Sequence, residues 1–276
     1  MHDAIMTTCF NPATLTEAVG ILADNPHLCV VNGGTDVMVS VNAGSKAIAG
    51  WLNLRRVDEI AEINRTDRGI RIGSGVTFAR IENELRDIAP ALAIASTMVG
   101  SRQIRSVATL GGNICTASPA GDSLPPLLTY DTEIELASHR GVRTIPLVDF
   151  LVGPKRTVSA KDEIVSAIVL RDCSGPQHFA KIGTRNAMVI SICSIAARLD
   201  INSGVARVAV GSVGPTARLI TEANEALLQR HCADEFASIV ESLVTPINDH
   251  RATAEYRCAS IGVLARRVHQ KLWDAL

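Results

Sequence analysis

The sequence predicts an α+β protein, and three observations lead to that class. Through the first 170 residues, short strand-like apolar runs alternate with segments of helical spacing. From about residue 170 the runs become longer and are followed by amphipathic helices. The chain has 276 residues, 47% of them apolar, which is enough for one large domain or two of ordinary size. We therefore expect two domains, 1–172 and 173–276, with the boundary near "RDCSGPQ".

The first predicted domain consists of short helices and strands in close succession. Residues 11–26 predict a helix, because threonine and glutamate at its start precede apolar residues at helical spacing and a proline lies beyond the end. "HLCVV" predicts a buried strand that runs into Asn32-Gly33-Gly34. The remaining predictions are strands at 51–54 and 69–76, a long helix at 78–100 interrupted at Pro90, a helix at "SLPPLLTYD", and a hairpin of strands 132–138 and 141–147.

The second predicted domain is a small sheet covered by helices. "QHFAKIGT", "VISICSIAARLDI" and "VARVAVGSV" predict its strands. "TEANEALLQRH", "EFASIVESLV" and "YRCASIGVLARRVHQKLWDA" predict amphipathic helices.

Charge and cysteine usage exclude several classes of function. A net charge of -1 argues against binding of nucleic acid or anionic membrane, which needs a strongly basic face. The seven cysteines form no CxxC pair, so we expect reduced, mostly buried thiols and no disulfide framework, iron–sulfur cluster or zinc site. The N-terminus lacks the pattern of a signal peptide, and no apolar run is long enough to span a bilayer. A cytoplasmic protein without membrane insertion is expected.

Two double-glycine motifs are the candidate binding sites. "CVVNGGTDVMVS" and "VATLGGNICTASPAGDSLPPLL" each place a glycine pair after a predicted strand and before Thr, Asp or Asn. Such pairs let several backbone N–H groups point at one anion, and the polar side chains suit phosphate, ribitol or ribose. Neither motif has the P-loop or GxGxxG pattern. The pattern alone supports ligand binding and a simple tight turn about equally.

Both motifs carry a family resemblance. "VVNGGTDVMVSVNAG" and "QIRSVATLGGNICTASPAGDSLPPLL" resemble the flavin-binding motifs of molybdenum hydroxylase flavoproteins, the FAD-binding subunits of the xanthine, nicotinate and carbon monoxide dehydrogenase group. The likeness continues through "LNLRRVDEIAEI", "GIRIGSGVTFARIE", "KDEIVSAIVL" and "VGPTARLITEANEA", and covers nearly the whole chain. It implies an FAD-binding domain of the p-cresol methylhydroxylase type, followed by a small α+β domain of the CO dehydrogenase flavoprotein C-terminal type.

The resemblance also implies which residues bind FAD. Backbone amides of the first motif would wrap the pyrophosphate, and the second motif would complete the cradle from the other side. The implied FAD-binding residues are Val30, Val31, Asn32, Gly33, Gly34, Thr35, Asp36, Val37, Ala108, Thr109, Gly112, Asn113, Cys115, Thr116, Asp122, Val165 and Lys181.

Three of these residues have roles of their own in the resemblance. Asp122 would bind the polar adenosine or ribityl part of FAD, and it is also placed to cap the helix predicted near Leu124. Val165 would pack near the isoalloxazine and is a core strand residue in either case. Lys181 would lie near the polar edge of the ring, where a cation favours the reduced, anionic flavin.

Other residues are expected to play smaller parts. The segment 98–100 stands where some relatives have a phenylalanine close to the flavin, so that aromatic contact is expected to be missing. Cys115 is expected to be a small buried thiol facing the cofactor. Arg55-Arg56 and Lys155-Arg156 predict solvated surface, with an acidic partner or pyridine nucleotide as the alternative.

The function implied by the resemblance is electron transfer within a larger enzyme. A substrate would be hydroxylated at molybdopterin in a large subunit, and electrons would pass through [2Fe–2S] clusters of a small subunit to FAD in this chain. NAD⁺ or another acceptor would take them, in an enzyme built as a dimer of heterotrimers. The alternatives are a stand-alone flavin oxidase or dehydrogenase and a nucleotide-binding regulatory module. In the implied cradle, Gly33→Val and Gly112→Val are both expected to empty the flavin site while the fold stays largely intact.

Overall fold

A computed structural model describes residues 8–276. Met1–Thr7 lie outside the described residues, and most of the segment used to exclude a signal peptide lies there. The described chain begins with a three-stranded parallel sheet in the order β1-β3-β2. Its elements are β1 (Thr8–Phe10), α1 (Leu15–Asp24), β2 (Cys29–Val31), α2 (Val37–Asn42) and β3 (Gly50–Asn53).

Helix α1 begins where the sequence predicts it. The Thr14 hydroxyl accepts a hydrogen bond from the Glu17 N–H at 3.1 Å, and the Glu17 carboxylate accepts one from the Ala13 N–H at 2.8 Å. This reciprocal pair satisfies the Glu17 N–H in the first turn and the Ala13 N–H just before the Thr14 cap. The helix then buries Ala18 and Leu22 against the small sheet.

A five-stranded antiparallel sheet in the order β4-β5-β10-β6-β7 follows, with helices packed on it. The segment 78–100, predicted as a helix with an interruption at Pro90, is two helices separated at Leu85–Ala89. Pro90 has no N–H to donate and starts the second of them. The elements are β4 (Ile63–Thr66), β5 (Gly69–Gly73), α3 (Phe78–Glu84), α4 (Pro90–Thr97), α5 (Arg102–Arg105), α6 (Leu110–Thr116), α7 (Leu124–Thr129), β6 (Glu133–Ser138), β7 (Gly141–Pro146), α8 (Leu147–Phe150), β8 (Leu151–Gly153), β9 (Arg156–Thr157) and β10 (Ile164–Leu170).

The last part of the chain is a four-stranded antiparallel sheet with helices on one face. The helix predicted over "TEANEALLQRH" is shorter than expected: a 3₁₀ turn at Thr221–Ala223 leads into a single α-helical turn. The elements are β11 (Gln177–Ile182), β12 (Cys193–Asp200), β13 (Val205–Gly211), β14 (Arg218–Leu219), α9 (Asn224–Leu227), α10 (Ala233–Leu243) and α11 (Ala254–Asp274).

The four-stranded sheet is buried on both faces. Along β12, Ile195 and Leu199 point into the core under α10 and α11, whereas Ala196 points into the core of the five-stranded sheet and its helices. Arg198 is fully buried and donates to the Thr129 carbonyl at 2.9 Å. These side chains join the two predicted domains through apolar and polar contacts.

Two other observations concern the chain as a whole. None of the helices within residues 8–276 is both long and apolar enough to cross a bilayer. Of the seven cysteines only Cys193 is buried, so the expectation of mostly buried thiols is wrong. The other six lie on short strands, in connecting loops or on partly open helix faces.

Stability is expected to fall from about pH 4 towards pH 2 as Asp249 takes up a proton. Desolvation alone would raise the pKa of Asp249, but the N–H groups of Arg251 and Ala252 and the guanidinium of Arg257, 2.8 Å away, lower it to about 2. The folded pKa is therefore below the unfolded value of 3.8, so the stabilisation exists above pH 4 and is lost as pH falls. Urea unfolding should show Asp249→Asn less stable than wild type at about pH 6, with the gap narrowing by about pH 3. A gap of constant size would contradict this assignment.

Candidate functional site

A cavity of about 570 Å³ lies between the first sheet and α6, and both glycine motifs line it. The structure brings together all the candidate residues that the two motifs contain up to Thr116. These are Val30, Val31, Asn32, Gly33, Gly34, Thr35, Asp36, Val37, Ala108, Thr109, Gly112, Asn113, Cys115 and Thr116. Asp122, Val165 and Lys181 do not line it.

The first motif turns sharply between β2 and α2, and each glycine has its own reason to be there. Gly34 has a φ of 71°, a conformation that a Cβ disfavours. At Gly33 a Cβ would lie 2.0 Å from the Val107 carbonyl oxygen, so the loop touches the backbone just before α6. The loop is therefore fixed against the second motif by backbone contact.

The unpaired backbone N–H groups of this loop indicate that it binds an anion. Within residues 8–276, no acceptor forms a hydrogen bond with the N–H groups from Gly33 to Val37. Four of these five residues are half-buried and Asp36 is exposed. Backbone N–H groups removed from water are nearly always paired, so this run of unpaired donors beside a cavity indicates a ligand that accepts them. A phosphate or diphosphate meets that requirement.

The second motif differs from its prediction, because its glycines begin a helix. Thr109 caps α6: its hydroxyl accepts from the Gly112 N–H at 3.2 Å. The N–H of Leu110 donates to the Val76 carbonyl and that of Gly111 to the Ser74 carbonyl. Of the second-motif residues expected to complete the cradle, Gly112 therefore has its backbone N–H already paired within the chain.

Helix α6 lines the cavity with polar side chains and with the exposed backbone of a glycine. Asn113 and Thr116 lie along its cavity side, and Gly112 is exposed there without a side chain. The Asn113 carbonyl oxygen accepts from the Ser123 hydroxyl at 2.7 Å, which leaves the amide nitrogen to donate. Cys115, expected to be buried, is open to the cavity, and desolvation by the surrounding walls raises the pKa of its thiol to about 12.

Asp122 and Lys181 form a buried ion pair. The Lys181 ammonium donates to the Asp122 carboxylate at 2.6 Å and to the Met98 and Val189 carbonyls at 3.2 and 3.1 Å. The Ser191 hydroxyl donates to the other carboxylate oxygen at 2.5 Å. Burial raises the pKa of Asp122, and the ammonium and the hydroxyl oppose that shift. The alternative role of Asp122 as a helix cap is wrong, because α7 has no side-chain cap.

Some cavity residues were not predicted from the sequence. Phe78 and Ile190 supply apolar wall, and so does Val99, from the segment 98–100 that was expected to lack an aromatic contact. These walls come from separate segments of the chain that only tertiary packing brings to one cavity.

Val165 is buried in β10 opposite Leu136, as a core strand residue.

The sequence of the chain matches two flavoprotein domain families. Residues 5–170 match the family described as the FAD binding domain in molybdopterin dehydrogenase, and residues 178–272 match the CO dehydrogenase flavoprotein C-terminal domain. The chain belongs to this family. It is 33% identical over 270 residues to the putative xanthine dehydrogenase FAD-binding subunit XdhB of Escherichia coli K12, covering 93% of this chain and 92% of that protein.

Other relatives agree with this membership. The nicotinate dehydrogenase FAD-subunit of Eubacterium barkeri is 33% identical over 192 residues, 66% of this chain and 65% of that one. Among solved structures, the Cu,Mo-CO dehydrogenase in its cyanide-inactivated form superposes with a TM-score of 0.91 at 21% identity, over 98% of both chains. Quinoline 2-oxidoreductase from Pseudomonas putida 86 gives 0.90 at 23%, over 97% of both. These two show the same fold.

FAD is therefore the cofactor of this flavoprotein, an oxidoreductase subunit of the molybdenum hydroxylase family. The residues present fit it. The free N–H groups of 33–37 suit the diphosphate, and the polar side chains of α6 suit hydroxyl groups of the ribityl chain or ribose. Within residues 8–276 no group of three His, Cys, Asp or Glu side chains is placed to hold a metal ion.

Proposed function

We propose that this chain is the electron-transfer subunit of a larger enzyme. A molybdopterin subunit hydroxylates the substrate, and a [2Fe–2S] subunit delivers the electrons to this chain, which passes them to NAD⁺ or another acceptor. FAD supplies reversible one- and two-electron chemistry when it is bound. The chain's own residues hold and orient the cofactor, and all of the predicted FAD contacts, including Asp122, Val165 and Lys181, belong to this proposal. We infer a dimer of heterotrimers in the cytoplasm as the setting.

The single observation that carries the proposal is the composition of the cavity wall. Its charged residues within the described chain are Asp36, Lys46 and Lys155, and it contains no histidine and no paired acid and base. Substrate oxidation by a stand-alone oxidase needs groups that move protons near the flavin. A wall built to bind, without such groups, supports electron transfer instead.

The rim of the cavity has exposed apolar side chains, which favour binding of another protein there. Helix α2 has no buried residue, although Met38 and Val39 are apolar, and Val39 is 67% exposed. Ile190, which lines the cavity, and Met188, two residues before it, are exposed as well. Large apolar side chains grouped around a binding site mark a surface that another protein covers. We assign this rim to the [2Fe–2S] subunit.

Val39→Asp is expected to release the partner subunits while FAD stays bound, because a charge at the centre of a buried contact is left without a partner. The measurement is co-purification of the tagged chain from its native host, with iron, molybdenum and flavin determined in the product. Val142→Asp is the matched control, since Val142 is similarly exposed, at 64%, on the edge strand β7. Wild-type chain that carries FAD but no iron or molybdenum partners would instead support the stand-alone oxidase.

A further inference from the structure

Lys155 has a backbone conformation that lysine seldom adopts. It lies at the tip of the β8–β9 hairpin with a φ of 56°. The hairpin register pairs Gly153 with Arg156, so Pro154 and Lys155 are the two central residues of the turn. Proline followed by a positive φ is the pattern of a type II turn, whose second central position normally holds Gly or Asn. A Cβ at that position is strained.

A hydrogen bond to a second residue with a positive φ holds the turn against the flavin site. The Lys155 N–H donates to the Ala117 carbonyl at 2.9 Å, and Ala117 ends α6 with a φ of 45°. Non-glycine residues in the left-handed region persist only where the surroundings impose them, and they cluster at binding sites. The hydrogen bond brings the hairpin tip to the end of the second glycine motif.

The Lys155 side chain lines the flavin cavity and has no acidic partner. Within residues 8–276, no carboxylate lies within 4.0 Å of its ammonium. The other charged residues of the cavity wall are Asp36 and Lys46, and the nearest polar contact of the Lys46 ammonium is the Cys29 sulfur at 3.8 Å. The wall therefore has excess positive charge, on the same cavity as the free amides of the first motif.

We propose that Lys155 is a ligand of the FAD diphosphate. Its strained turn is retained because a lysine at that tip places an ammonium on a flexible four-carbon side chain beside the cavity. Glycine or asparagine would relax the backbone and lose the charge. The same ammonium complements a diphosphate whose remaining oxygens accept the N–H groups from Gly33 to Val37.

The test uses the full-length apoprotein with Lys155→Gly and Lys155→Asn. Flavin fluorescence titration should show FAD bound about tenfold more weakly by both variants, with a smaller dependence on salt concentration. Riboflavin, which has no phosphate, should bind as it does to wild type. The apoprotein of Lys155→Gly should melt about 2–4 °C higher than wild type, because glycine removes the strain at this φ.

Two control variants test whether the positive charge at position 155 is what binds FAD. Lys155→Arg keeps the cation and should hold FAD within about twofold of wild type. Lys161→Asn removes an exposed lysine outside the cavity and should leave FAD binding unchanged. Unchanged FAD affinity in both the Gly and Asn variants would overturn the proposal. An equal loss for FAD and riboflavin would overturn it too, since the diphosphate would then not be what Lys155 recognises.

Discussion

The Gly112→Val protein is expected to fold like the wild type and to fail to bind FAD. Gly112 lies in the first turn of α6 with its open side towards the cavity, where an added Cβ meets only the Thr109 hydroxyl oxygen at 3.1 Å. The two γ-carbons of valine would occupy space that the cofactor needs. We expect FAD affinity to fall by about 100-fold, roughly 2.7 kcal/mol. Valine has a slightly better helix propensity than glycine, so the free energy of unfolding should change by less than about 1 kcal/mol.

Two other glycines provide the controls for this experiment. Gly20 lies on the exposed side of α1 with no atom within 4 Å of an added Cβ, so Gly20→Val should keep both fold and FAD. Gly33→Val is different, because its Cβ would meet the Val107 carbonyl oxygen at 2.0 Å. The expectation that this variant leaves the fold intact is wrong, and we expect it to lose structure. Isothermal titration with FAD and urea unfolding measure both properties, and full FAD occupancy in Gly112→Val would refute the assignment of this helix turn.

Lys181→Met should be among the most destabilising single changes in the chain. The side chains of Lys181 and Asp122 are each only 8% exposed, and removing the cation leaves the carboxylate buried with Ser191 as its remaining donor. Breaking a buried pair in this way costs about 3–5 kcal/mol. Asp122→Asn should cost less, because the Lys181 ammonium keeps the Met98 and Val189 carbonyls as acceptors. We expect about 1–3 kcal/mol for that variant.

Urea unfolding of both single variants and of the double variant measures this asymmetry. The double variant should be more stable than Lys181→Met alone, because it no longer buries an unpaired charge. An equal cost for the two single variants would contradict this asymmetry, because the ammonium would then depend on the pair as much as the carboxylate does. Far-UV circular dichroism at low urea shows whether each variant reaches the native fold.

Much of the fold follows from local pattern. The helix at α1 was predicted from the threonine and glutamate at its start, and the β6–β7 hairpin from alternation around a two-residue turn. The pattern failed where tertiary contacts decide. Helix α2 has no buried residue, so its sequence shows no helical period and it was not predicted. The interruption at Pro90 was predicted, but the non-helical stretch Leu85–Ala89 before it was not. Periodicity reports which face is buried, not how many helices share that face.

The candidate site was predicted in part for the same reason. Residues in two continuous motifs were found together, because each motif carries its own glycine and polar pattern. The cavity walls at Phe78, Lys155 and Ile190 come from separate segments and have no shared pattern. The only sign at Lys155 is the order Pro-Lys in a tight turn, where Pro-Gly or Pro-Asn is usual. The pairing of Asp122 with Lys181 joins residues 59 apart in the chain, and charge alone does not indicate it.

The burial of the four-stranded sheet on both faces has a consequence for inheritance. Ala196 and Arg198 lie against the preceding part of the chain, and Tyr130 donates to Gln177 across the predicted boundary at 2.7 Å. A crossover between two relatives at that boundary would join complementary halves of one core that had diverged separately. Such hybrids should fold only when both parents share the residues of this contact. We therefore expect the two segments to have been inherited together.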